Sequence, residues 1–94
     1  MSKRKSKSAN GKQRYAVIVK YLDNLTGKES FYKCHVSDLM KLALYLDKRF
    51  PINSNPRFTF KTGWKWFNVY ENFNNTRAKL GSFTINQRPR SSRI

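Results

Sequence analysis

Acidic side chains are scarce in this chain: five Asp or Glu stand against 20 Lys or Arg in 94 residues, leaving a formal net charge of +15. The five acids are scattered, with no D-x-D motif and no paired Glu that would hold a metal for nuclease chemistry. A single cysteine, Cys34, excludes an intramolecular disulfide, and no Cys/His cluster has zinc-ligand spacing. The only histidine, His35, is its neighbour in sequence, so on a strand the two side chains point to opposite faces and form no nucleophile–base pair. Gly27, Gly63 and Gly81 stand singly, which excludes a phosphate-cradling glycine loop. Long hydrophobic runs are missing as well. The basic start is followed only by the short, β-branched stretch 16–19, too short for a secretory signal or a membrane span. Together these absences predict a non-enzymatic protein without cofactor or metal, in a reducing, cytoplasmic setting, with association with a nucleoid or a virion as the alternatives.

What is present is positive charge, concentrated at the ends. Residues 1–14 carry Lys3, Arg4, Lys5, Lys7, Lys12 and Arg14 with no acid, and residues 87–94 carry Arg88, Arg90 and Arg93. Both segments read as flexible basic arms, because Lys, Ser, Asn, Gly and Arg bury too little apolar surface to offset their ordering entropy. Residues 15–86 keep eleven basic and five acidic residues, a net of +6, and form one domain.

Within that domain the periodicity predicts β-β-α-β-β-β: a small α+β fold with an antiparallel sheet of about five strands and one helix on one face. Tyr15, Val17, Val19 and Tyr21 alternate with Ala16, Ile18, Lys20 and Leu22, then a turn at 23–28 leads to a second strand over 29–36, and the two strands form an antiparallel hairpin. Ser37 stands as the expected helix N-cap, with Asp38 in the first turn. Leu39, Leu42, Ala43, Leu46 and Phe50 follow at helical spacing until Pro51 ends the helix. Its polar face, with Lys41, Asp47 and Lys48, is mixed in sign and unlike a recognition helix. Phe58 and Phe60 mark a third strand, 64–71 a fourth and 77–86 a fifth, with Gly81 at a bulge. Asn24 and Asn74 begin glycosylation patterns that serve as turn residues in the absence of a secretory signal.

Fourteen aromatic residues are many for so basic a chain, and in the stretch 58–67 they interleave with Lys61 and Lys65. Rings alternating with cations on a sheet can stack bases while Lys meets phosphate. The same rings are also the obvious core of a domain with little Val and Ile. The two roles divide at the strand 64–71. Either Phe67 and Val69 face the helix, leaving Trp64, Trp66 and Tyr70 outward, or the Trp face is inward and Lys65 joins the outer charge.

These features predict a nucleic-acid-binding protein, DNA ahead of RNA, gripping phosphates through the two arms and through Lys61, Lys65, Trp66 and Arg77 on the sheet. The bland reading of the arms is a solubilising or localisation tail. The alternatives of another class are a small basic effector that seizes an acidic protein surface, since exposed Trp, Tyr and Arg also make protein hot spots, and a structural component of a ribonucleoprotein or virion. Helix-turn-helix, zinc-finger, KH and OB signatures and the aromatic RNP octapeptide are absent. Size and tails are similar to those of many small ribosomal, viral and nucleoid proteins, a resemblance of class and not of motif.

Overall fold

The computed structural model describes residues 14–72 and 77–94. Four strands, β1 (Tyr15–Leu22), β2 (Glu29–Val36), β3 (Gly63–Glu71) and β4 (Lys79–Thr84), form one antiparallel sheet in the order β2-β1-β3-β4, and one helix, α1 (Leu39–Arg49), covers one side. The α+β class and the single helix agree with the sequence reading. The strand count differs: residues 58–61 are not a strand, and that region contributes only an isolated bridge between Asn53 and Thr62. Phe58 and Phe60 instead stack on each other at 5.2 Å and lie against Gly27. Period two there reflects a pair of rings folded onto the β1–β2 turn rather than a ladder.

That turn is built as its composition demands. Asp23 Oδ2 accepts from the backbone N–H of Leu25 and Thr26, and Gly27 takes a φ of 71° while its N–H donates to the Asp23 carbonyl at 2.8 Å. Asn24 is held by the 50–62 loop, its carbonyl accepting from Asn55 Nδ2 at 3.1 Å and its side chain accepting from the Thr62 hydroxyl.

The N-cap of α1 is Asp38 rather than Ser37: its carboxylate accepts from the Lys41 N–H at 3.0 Å while its own backbone is extended. The shift is one residue, and it moves the negative charge from the first turn to the cap. Leu39, Leu42, Ala43 and Leu46 are buried as their spacing requires, and the three leucines cluster with Val17, Val19, Phe67 and Val69 from the sheet. Phe50, at the C-cap, stacks on Tyr21 with ring centroids 4.0 Å apart.

Two irregularities set which side chains face the helix. Between β1 and β3 the register runs Lys20↔Trp66 and then Tyr21↔Trp64, so Lys65 is an extra residue opposite one step of β1. Between β3 and β4, Val69 pairs Gly81 and Tyr70 pairs Lys79, leaving Leu80 as the extra residue, next to the glycine that the sequence marks as a bulge. Gly63 enters β3 with φ 108°, and a Cβ there would stand 2.5 Å from the Pro51 carbonyl oxygen. Only glycine fits this approach.

The C-terminal segment departs from the flexible arm its composition suggested. The Ser92 carbonyl accepts from the Leu39 N–H at 2.9 Å, the Ile94 N–H donates to the Tyr15 hydroxyl at 3.2 Å, and Pro89 is buried. The segment therefore satisfies an amide that the start of α1 leaves without a helical partner. The N-terminal arm, apart from Arg14, lies outside the described residues. Among the described residues, no helix is long and apolar enough to cross a membrane.

Candidate nucleic-acid interface

Because α1 covers only one side, alternate residues of all four strands are left on the opposite, open face. The registers align them in three rows running across β2, β1, β3 and β4. One row is Phe31, Lys20, Trp66 and Thr84, the next Lys33, Ile18, Asn68 and Ser82, and the third His35, Ala16, Tyr70 and Lys79. Phe31 is the most exposed ring of the three rows, at 58%, and its centroid lies 6.3 Å from that of Trp66. Lys20 stands between them in register, its Nζ 6.0 Å from the centre of the Trp66 ring and 3.1 Å from Glu29 Oε2. Among the described residues Glu29 is the one acid on this face, and Lys20 neutralises it.

The middle row is polar: the Ser82 hydroxyl donates to Asn68 Oδ1 at 2.7 Å, and Asn68 Nδ2 reaches the Tyr70 hydroxyl at 3.5 Å. The third row has a small residue at its centre. Ala16 lies in register with His35 on one side and Tyr70 on the other, and a groove of about 510 Å³ is lined there by Ala16, Ile18, Lys33, His35, Tyr70 and Arg77.

The bulge decides the alternatives left open for the strand 64–71. Phe67 and Val69 face the helix, and Trp66 and Tyr70 face outward, but Trp64 does not join them: with Lys65 inserted, Trp64 turns inward and is fully buried. Its indole N–H donates to Asp47 Oδ1 at 3.1 Å. The same carboxylate receives both guanidinium nitrogens of Arg88, at 3.0 and 2.6 Å, and that guanidinium also lies over the Trp64 ring at 5.5 Å. Arg88, followed by Trp64, holds the Asp47 carboxyl below its ordinary value.

The expected contact residues are thus dispersed. Trp66 lies on the open face, and Arg77 is exposed at its margin beside Tyr70. Lys65 is half-buried at the bulge, its ammonium donating to the Lys61 carbonyl at 2.7 Å, with Lys61 itself exposed. Arg88 is committed to Asp47, a structural role in place of the free arm contact expected of it. Arg90 and Arg93 belong to the packed C-terminal segment, with Arg90 and Arg93 both exposed on it, and Arg14 is exposed where its carbonyl accepts from the Asn72 N–H. Lys3, Arg4, Lys5, Lys7 and Lys12 lie outside the described residues.

Sequence reasoning missed Lys20, Phe31, Lys33, His35 and Lys79 as members of one surface. The signal was present in β2, where Phe31, Lys33 and His35 alternate with Tyr32, Cys34 and Val36. Cys34 and His35 do face opposite ways. Burial against the helix pushes the Cys34 thiol up to about 11, whereas His35 is exposed. Among the described residues, no three His, Cys, Asp or Glu side chains group to hold a metal ion. No protein-family model matches the chain, and searches of curated proteins and of solved structures likewise find no match.

Proposed function

We propose that the protein is a non-enzymatic nucleic-acid-binding protein, DNA ahead of RNA, whose open sheet face meets the ligand while the basic N-terminal arm and the exposed Arg90 and Arg93 of the packed C-terminal segment add phosphate contacts. The observation that supports this reading is the composition of the open face. Phe31, Trp66 and Tyr70 interleave with Lys20, Lys33 and Lys79, and the acid beside them, Glu29, is tied to Lys20. Cations next to π-faces suit a polymer that alternates phosphates with flat rings. The net charge of +15 attracts such a polyanion from a distance and accounts for affinity rather than selectivity. In this reading the protein works in a reducing compartment, where the half-buried Cys34 is a packing residue.

Binding to an oligonucleotide followed across a salt series tests the proposal. The logarithm of the affinity is expected to fall linearly with the logarithm of salt concentration. Lys33→Ala is expected to reduce the slope by about 0.7–0.9 for a phosphate left without its cation. An affinity that does not change with salt would reject the proposal.

A further inference from the structure

Two places on the open face have the shape of ring-binding sites, and they differ in kind. At the first, the Phe31 and Trp66 rings lie 6.3 Å apart at one end of the sheet, with the Lys20 ammonium alongside. At the second, the methyl group of Ala16 floors a gap flanked by His35 and Tyr70, which stand one strand away on either side. Two strand spacings separate the flanking backbones by about 10 Å, enough for a flat ring to enter edge-on between two side chains. Lys33 and Arg77 line the same groove. Along β1 the two places are four residues apart, about 13 Å, and Asn68, positioned by Ser82 and Tyr70, lies between them.

A duplex keeps its bases stacked inside and offers such a surface only its phosphates and groove edges. Bases can reach an aromatic platform and a slot only when they are splayed from one another, as in a single strand. The charge pattern fits the same ligand: cations stand beside each ring site, the three rows contain no acid, and Glu29 at their edge is paired with Lys20.

Resting on the nucleic-acid reading above, we propose that the open face binds single-stranded nucleic acid, one base stacking at Phe31 and Trp66 and a second entering the slot over Ala16 between His35 and Tyr70.

The test compares an oligothymidylate of about twelve nucleotides with a duplex of equal length, using the full chain and reading affinity together with tryptophan fluorescence. Single-strand binding is expected to quench the Trp66 emission. Ala16→Leu, which fills the slot, and Phe31→Ala, which removes an exposed ring, are each expected to weaken single-strand binding about 5- to 100-fold while leaving duplex binding within about twofold. Circular dichroism establishes that each variant retains the fold. Variants that bind the single strand like the parent would overturn the inference, as would a parent that holds duplex as tightly as single strand without quenching; in both cases salt-dependent nucleic-acid binding would stand. Failure to bind either oligonucleotide at low salt would overturn the functional reading itself.

Discussion

On the helix-covered side of the sheet Val17, Val19, Phe67 and Val69 are sealed from water, whereas one residue further along the same strands Ile18, Lys20, Asn68 and Tyr70 remain partly open. The same four strands thus make two surfaces with opposite obligations. The covered face obtains its stability from apolar burial, to which each large side chain contributes a few kcal/mol. Among the described residues the open face has no helix over it, and it retains rings and cations that a core would reject. The difference teaches that aromatic content must be divided by strand parity before it is assigned to folding or to binding. The two tryptophans show the division most sharply: Trp64 and Trp66 share a strand and an even spacing, yet the bulge at Lys65 sends one into the core and leaves the other outside.

Truncating a ring on each face gives the largest expected contrast. Phe67→Ala is expected to cost about 3–5 kcal/mol of stability in urea denaturation, through reduced burial and the cavity left behind. Trp66→Ala is expected to cost about 1 kcal/mol and to act mainly on ligand affinity. Equal losses at the two positions would break the comparison. Next in size is the entry to β3, where Gly63→Ala is expected to cost about 2 kcal/mol or more, because it combines a positive φ with a collision against the Pro51 backbone.

The interaction that holds Trp64 inward gives a smaller, pH-dependent effect. Arg88→Ala is expected to cost about 1–2 kcal/mol, discounted for the partial exposure of both ionic partners. The Asp47 carboxyl is held below its ordinary value of 3.8, so its contribution is complete above the unfolded-state pKa and disappears as pH falls through the lower folded-state pKa. Asp47→Asn is therefore expected to be less stable than the parent at neutral pH and to approach it in acid, as followed by thermal melts between pH 7 and about pH 2. The smallest effect is on the open face, where Lys33→Ala is expected to leave stability within about 0.5 kcal/mol and to change only the salt slope of binding.

Local chemistry made much of the fold legible. The Asp23 to Gly27 turn, the hydrophobic stripe Leu39, Leu42, Ala43 and Leu46, and the stop at Pro51 each follow from propensities that act within a few residues. The β1–β2 hairpin followed from its turn, but the full strand order did not, because pairing β1 with β3 is a long-range choice that no local pattern encodes. Phe58 and Phe60 misled because two rings stacked on a turn mimic strand alternation. Composition also misassigned the last residues: Arg88 reads as a free cation until Asp47 and Trp64, far away in sequence, are brought beneath it. The open face was half visible, through Trp66 and Tyr70. Lys20, Phe31 and Lys33 joined it only once the registers were fixed.

The two indole N–H groups offer the most direct test of the division between the faces. In a proton–nitrogen spectrum of the labelled protein titrated with single-stranded oligonucleotide, the Trp66 indole signal is expected to move together with the amides of Lys20, Phe31 and Lys33, while the Trp64 indole, bonded to Asp47, stays in place. Shifts confined to the basic ends of the chain, with both indoles unmoved, would contradict the account.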